Sequence, residues 1–286
     1  MNENLVNSSF QYCIKSARKH YENFPVASLL IPKDKRKYIA AIYCFARASD
    51  DFADEPNIEG GKEKRLSLID EWEQKLEDCF KGKAYDPIFI ALNKTIEDCK
   101  IPIEPLQNLL KAFRQDVIKN RYDNFDEVLS YCENSANPVG RLVLMIFGSH
   151  DEKLFGYSDK ICTALQLTNF WQDVAIDLEK DRIYLPEDEM KRFNYNEKEL
   201  IEKTYNKNFI ELMKLQVERT RKIFEDGKGL LDELKQNDLL KKLYRQLKLT
   251  WLGGMEILNK IEQVNYDVFN KRPSLSKTDF IKLFFK

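Results

Sequence analysis

The scarcity of glycine and proline between long, regularly spaced apolar segments is what most constrains this chain. Its 286 residues contain 10 Gly and 9 Pro, most of them at junctions between segments. The segments have apolar spacing near 3.6, as in residues 68–80, 105–120 and 211–235, which is typical of amphipathic helices. No alternating strand pattern, internal repeat or low-complexity linker interrupts them. The sequence therefore predicts a single all-α domain over residues 1–286, with roughly eight to ten helices. The least regular stretch, 181–198, is predicted to be an ordered loop over one end of the helical bundle.

Composition excludes several classes of protein. Lys and Arg number 46 against 47 Asp and Glu, so no charge excess favours nucleic acid as a partner. The six cysteines are scattered without a CxxC pair and only two histidines occur, which argues against zinc and disulfide frameworks and favours a reducing, cytoplasmic environment. The first residues do not resemble a signal peptide, and the longest apolar run, LVLMIF at 142–147, is too short to span a bilayer.

The apolar C-terminal stretch DFIKLFFK (279–286) has two interpretations. One is a last helix that caps the core, which is the interpretation we favour. The other is peripheral contact with a membrane surface.

The first polar motif follows a predicted buried helix. After YIAAIYCFAR (38–47) comes ASDDFADE (48–55), and at 100° per residue Tyr43, Arg47, Asp50 and Asp54 fall within about 60° of one another. Apolar side chains occupy the opposite side of the helix. One interpretation is an ordinary amphipathic helix on which Arg47 pairs with Asp50 or Asp51. The other is a ligand site built from the carboxylates.

The second polar motif lies in a segment that is apolar nearly all round. Gln166, Asn169, Asp173 and Asp177 form one stripe at spacings of 3, 4 and 4 residues, and apolar side chains surround it. Such a helix is expected to be buried, so its carboxylates must be neutralised by arginines or by bound cations. Carboxylate and amide oxygens suit Mg²⁺, which commonly bridges protein carboxylates to phosphates. Two aspartate pairs that face each other across one cavity would hold a diphosphate; the alternative is an internal ion-pair network.

The order of four motifs carries a family resemblance. HYENFPVASLLIP (20–32), IYCFARASDDFADE (42–55), YCENSANPVGRLVL (131–144) and LQLTNFWQDVAIDLEKDRIYLP (165–186) resemble the squalene/phytoene synthase family. This resemblance implies an isoprenoid-synthase-type helical bundle around a central cavity, and an enzyme that joins prenyl diphosphates head to head. ENFPVAS, SANPVGRL and NFWQDV are most similar to the hydroxysqualene synthase branch of bacterial hopanoid pathways. Members of that branch ionise presqualene diphosphate and capture the rearranged cation with water.

The resemblance also implies roles for individual residues. Asp50, Asp54, Asp173 and Asp177, with Asn169, would hold Mg²⁺ and be essential for catalysis. Substrate would be bound by Asn23, Tyr43, Arg47, Gln166, Asn169, Arg182 and Tyr184. Tyr43, Tyr131 and Tyr184 would line the cavity, where aromatic faces stabilise a cation, and Tyr131 matches a position implicated in proton handling.

Two departures from the wider family bear on the reaction. Many relatives have Ser-Lys/Arg-Ser where this chain has Tyr21-Glu22-Asn23, and many have Arg where it has Gln172. Both departures remove donors or positive charge, so we expect a site for one diphosphate, with a partner presqualene diphosphate synthase supplying the substrate. A full head-to-head synthase that makes squalene, dehydrosqualene or phytoene is the first alternative. A non-catalytic assembly protein is the second, although all four motif aspartates are present.

Overall fold

The computed structural model describes residues 2–19, 31–54, 60–238 and 240–285, and within these ranges it contains helices and connections but no strand. The all-α prediction is confirmed. The predicted number of helices is wrong, because the described residues form fifteen, several of them short. They are α1 (Glu3–Lys19), α2 (Lys33–Asp54), α3 (Gly61–Phe80), α4 (Pro87–Cys99), α5 (Glu104–Ile118), α6 (Phe125–Ser135), α7 (Asn137–Ile146), α8 (Glu152–Gln172), α9 (Val174–Glu179), α10 (Glu187–Arg192), α11 (Glu197–Ile201), α12 (Lys207–Gly227), α13 (Gly229–Gln236), α14 (Lys241–Gln263) and α15 (Lys277–Phe284).

The chain divides into two compact units, each assembled from separate stretches of sequence. Unit 1 comprises Met1–Ile118, Pro138–Phe155 and Leu234–Gln246. Unit 2 comprises Lys119–Asn137, Gly156–Glu233 and Leu247–Lys286. The first polar motif belongs to unit 1 and the second to unit 2. A single domain over 1–286 remains a prediction.

An aromatic cluster in unit 1 sets the orientation of α2. Phe45 is fully buried, and its ring lies 6.1 Å from Trp72 of α3 and 6.0 Å from Phe89 of α4. The indole nitrogen of Trp72 also donates a hydrogen bond to the carbonyl of Phe45, at 3.3 Å. The apolar face of α2 is therefore buried as the sequence predicts, and the face with Arg47 and Asp50 remains partly exposed.

The core of unit 2 is built where α8 packs against α12 and α13. Trp171 is fully buried and donates to the hydroxyl of Thr220 on α12, at 2.8 Å. The periodic segment 211–235 is divided between α12 and α13, and a glycine stands on each side of Lys228. A Cβ at Gly229 would lie 2.6 Å from the ring of Tyr157, so only glycine allows this close approach to α8.

The stretch 181–198 is not the simple loop that its irregular sequence predicts, since it contains α10 and the start of α11. Ion pairs hold it in place. Arg121 pairs with Asp181 at 2.6 Å and with Glu197 at 2.9 Å. Glu189 of α10 pairs with Arg219 of α12 at 2.5 Å. These long-range charge pairs stabilise helices that are too short to be signalled by apolar periodicity.

Candidate functional site

The first motif occupies the C-terminal end of α2, which finishes at Asp54. Arg47 lies 2.7 Å from Asp51, one turn further on, and 3.5 Å from Asp50. The three side chains are 37–39% exposed. The predicted pairing of Arg47 with its neighbouring carboxylates is therefore present, and Asp51 is the closer partner. Asp50, whose side chain is 39% exposed, lies one turn before Asp54 on the same helix.

Tyr43 lies one turn before Arg47 on the same helix and is half-buried. Burial raises the pKa of its hydroxyl, and the nearby Arg47 offsets this only in part. The phenol is therefore neutral at physiological pH and can donate a hydrogen bond to an anion.

The second motif spans the junction of α8 and α9. The amide of Asp173 donates to the carbonyl of Asn169, and the amide of Asp177 donates to the carbonyl of Asp173, each at 2.9 Å. These bonds keep the one-turn spacing of the stripe across the junction. The prediction that the whole segment is buried is wrong, because Asn169 is exposed and Ile176 is 40% exposed. The six-residue helix α9 buries Val174 and leaves Ile176 on its exposed side.

Arg272 neutralises Asp173. Its Nε donates to Oδ1 at 2.6 Å and its Nη2 to Oδ2 at 3.0 Å, and the Asp173 side chain is only 13% exposed. The adjacent Gln172 donates from Nε2 to the carbonyl of Pro273, at 2.5 Å. The sequence predicted that arginines or bound cations would neutralise the carboxylates of this motif, and at Asp173 an arginine is present. Sequence reasoning missed Arg272, which is 99 positions away and lies outside every recognised motif.

An aromatic cluster in unit 2 adjoins the second motif. The rings of Phe170 and Tyr184 stack at 3.6 Å, and Tyr131 of α6 lies 5.9 Å from Tyr184. Tyr122, which sequence reasoning also missed, completes the cluster at 5.5 Å from Tyr184. Two of the three predicted cavity tyrosines, Tyr131 and Tyr184, are therefore brought together, and both are buried.

Arg182 and Asp177 line one small cavity in unit 2. Its volume is about 10 Å³, close to the space that one water molecule needs. Phe170 and Tyr184 line it as well, which places this cavity beside the aromatic cluster. The amide of Arg182 donates to the carbonyl of Asp177 at 2.9 Å, and this backbone hydrogen bond keeps the two residues adjacent.

The other predicted site residues are placed as follows. Gln166 is half-buried on α8, one turn before the exposed Asn169. Asn23, with Tyr21 and Glu22, lies outside the described residues. In the described ranges, no group of three or more His, Cys, Asp and Glu side chains could hold a metal ion. No helix within those ranges is long and apolar enough to cross a membrane.

An all-helical chain with two carboxylate stripes, one of them beside an aromatic cluster, has the features of the all-α isoprenoid synthases. The family model for squalene/phytoene synthase matches residues 17–279, and the chain belongs to this family. The phytoene synthase of Arthrospira platensis is 31% identical over 283 residues, which cover 93% of this chain and 88% of that protein. The chloroplastic phytoene synthase 1 of Zea mays is 30% identical over 97% of this chain, and the match spans about two thirds (67%) of the maize protein.

Solved structures agree with this family. The squalene synthase HpnC from Alicyclobacillus acidocaldarius superposes with a TM-score of 0.84 at 37% identity, covering 91% of this chain and 95% of that one. A dehydrosqualene synthase in complex with ligand has the same TM-score at 23% identity, covering 98% of this chain and 95% of that one. The second likeness supports the fold alone.

Proposed function

We propose that this protein is a Mg²⁺-dependent enzyme that converts presqualene diphosphate to hydroxysqualene, within squalene or hopanoid biosynthesis. The family acts on prenyl diphosphates. The observation that carries the finer assignment is the neutral Gln172, where many relatives have arginine. Its side chain is committed to the carbonyl of Pro273 and adds no charge to the site. A reaction with one diphosphate to neutralise tolerates this loss better than a condensation of two.

The carboxylates fit Mg²⁺. This ion keeps several of its waters and is usually held by one or two carboxylates together with substrate phosphates. Asp50 and Asp54 on α2, and Asp173 and Asp177 with Asn169, would each provide such a partial set. Bound Mg²⁺ would neutralise the negative charge that develops on the departing diphosphate.

The remaining residues act on the substrate directly in this proposal. Arg47 and Arg182 donate to phosphate oxygens, whose geometry matches the guanidinium fork. Tyr43, Gln166 and Asn23 orient the diphosphate. The aromatic faces of Tyr131 and Tyr184 stabilise the cation after ionisation. When water adds to the cation, its released proton passes through the hydroxyl of Tyr131, which gives up its own proton to the departed diphosphate. A separate presqualene diphosphate synthase supplies the substrate, and the reaction takes place in the cytoplasm.

The second candidate is a full head-to-head synthase that makes squalene, dehydrosqualene or phytoene. The identity of about a third to proteins named phytoene synthase favours it. A non-catalytic assembly protein is disfavoured, because such a protein has no reason to retain four aspartates in two stripes.

The two catalytic candidates are distinguished by their substrates. Purified protein would be incubated separately with presqualene diphosphate and with farnesyl diphosphate, each with Mg²⁺ and without a nicotinamide. We expect an alcohol, identified by mass spectrometry, from presqualene diphosphate and little product from farnesyl diphosphate. Efficient formation of presqualene diphosphate or dehydrosqualene from farnesyl diphosphate alone would instead establish the second candidate. Asp173→Asn serves as the inactive control.

A further inference from the structure

The C-terminal helix α15 carries an exposed aromatic face. Phe280, Ile281, Phe284 and Phe285 are 58%, 59%, 56% and 82% exposed. At 100° per residue they cover an arc of about 140° on one side of the helix. The interpretation of this segment as a core-capping helix is therefore wrong for most of its apolar side chains; only Leu283, at 4% exposed, is buried.

The opposite side of α15 is anchored to the protein. Asp279 forms an ion pair with Lys260 of α14, at 2.9 Å, and also caps α15 through Ser276. On the same side, the side chain of Leu283 is buried. These contacts hold the aromatic arc facing outward, so its exposure is a property of the docked helix.

The charges around this arc are basic. Lys282 flanks the arc, and Lys277 lies within it at the N-terminal end of α15; both are exposed. The one carboxylate of the helix, Asp279, is already neutralised by Lys260. An apolar arc with one lysine at its end and another at its edge is the pattern of a helix that lies in the interface of an anionic bilayer. The lysine stems reach along the apolar surface while the ammonium groups meet the lipid phosphates.

The size of the arc also favours a lipid surface over a second copy of this chain. A fully exposed aromatic side chain presents on the order of 150–250 Å², so four half-exposed residues offer roughly 500 Å². A stable protein interface needs about 800 Å² from each partner. Interfacial insertion has no such threshold, because its strength increases with each apolar side chain that is buried.

We propose that the aromatic face of α15 docks this protein on anionic membranes. The proposal stands on the exposure and charge of α15 and does not depend on the reaction assigned above. Such docking would place the enzyme at the surface that receives a water-insoluble product, if the proposed function also holds.

Co-sedimentation with vesicles tests the proposal. We expect the protein to bind vesicles of phosphatidylglycerol and phosphatidylcholine more strongly than pure phosphatidylcholine, and less strongly at high salt. The double variant F280S/F284S should weaken partitioning by at least about tenfold, since it removes two apolar anchors. The matched control I118S/I201S removes two side chains that are 62% and 57% exposed elsewhere, and it should bind as the wild type does.

Fluorescence gives a second, direct measurement. The three native tryptophans, Trp72, Trp171 and Trp251, are at most 9% exposed, so a new surface tryptophan is readily distinguished. When anionic vesicles are added, the tryptophan emission of F285W should shift to shorter wavelength and be quenched by brominated lipid. The emission of I118W should show neither change. The proposal is overturned if wild type does not bind anionic vesicles, or if F280S/F284S binds them equally well. It is also overturned if sedimentation velocity shows that the aromatic face holds a dimer that does not bind lipid.

Discussion

Arg272 holds both carboxylate oxygens of Asp173, although 99 positions separate the two residues in sequence. The contact attaches the segment between α14 and α15 to the second aspartate motif. The hydrogen bond from Gln172 to Pro273 lies directly beside it. The negative charge of Asp173, a predicted metal ligand, is thus neutralised by an arginine in this structure. A Mg²⁺ ion bound at Asp173 would compete with Arg272 for the same oxygens.

Arg272→Ala should therefore destabilise the protein. Asp173 is mostly buried, so loss of its bidentate partner leaves a poorly solvated charge, whereas half of Arg272 is exposed and screened by water. We expect the free energy of unfolding to fall by about 1 kcal/mol, which corresponds to a Tm lower by roughly 2–4 °C in a thermal melt. Lys271→Ala, an exposed neighbour, should leave Tm unchanged.

Added Mg²⁺ should raise the Tm of Arg272→Ala more than that of the wild type, because the ion no longer competes with the guanidinium for Asp173. Equal shifts in the two proteins would show that Asp173 does not bind the ion. This measurement does not depend on catalysis.

Asp50→Asn should abolish turnover without unfolding the protein. The substitution removes one ligand charge but no core volume, and Arg47 keeps its closer partner Asp51 at 2.7 Å. We expect kcat to fall at least about 100-fold in a product assay, with an unchanged or slightly higher Tm. Asp34→Asn, in the first turn of the same helix, should retain activity. Near-normal turnover of Asp50→Asn with Mg²⁺ present would argue against the proposed metal site.

Gly229→Ala should be markedly destabilising. The added methyl would lie 2.6–3.1 Å from three ring atoms of Tyr157, so that α13 or the ring must move. We expect a loss of about 1–3 kcal/mol in denaturant unfolding. Gly156→Ala on α8 meets nothing within 4 Å and should be neutral or stabilise the helix by up to about 1 kcal/mol. Similar stabilities of the two variants would contradict this account of the junction.

The attachment of α15 to the rest of the protein should weaken in acid. Hydrogen bonds from Ser276 and the ion pair with Lys260 hold the pKa of Asp279 well below its usual range. A carboxyl group whose pKa is lower in the folded state stabilises that state at pH values above its unfolded-state pKa of about 3.9. This stabilisation is lost as the pH falls through the folded-state pKa. Amide protection factors of α15, corrected for intrinsic exchange rates, should therefore decrease below about pH 4. Asp279→Asn should show low protection throughout, and a wild-type profile independent of pH would contradict the prediction.

The helical class and the composition of the motifs were accessible from the sequence, because they depend on local periodicity. Apolar spacing near 3.6 predicted the all-α fold, and the burial of Phe45 opposite Arg47 follows from helix geometry alone. The family could likewise be predicted from the order of the four motifs, which the match over residues 17–279 confirms.

Only the tertiary structure decided which partners these side chains have. Arg272 reaches Asp173, Tyr122 joins Tyr184, and Tyr157 requires glycine at 229, through contacts between residues far apart in sequence. The exposed face of α15 was decided in the same way, since an apolar helix is a core element or a surface element according to what packs against it. Local periodicity carries no information about such partners, because they are selected by the packing of the whole chain.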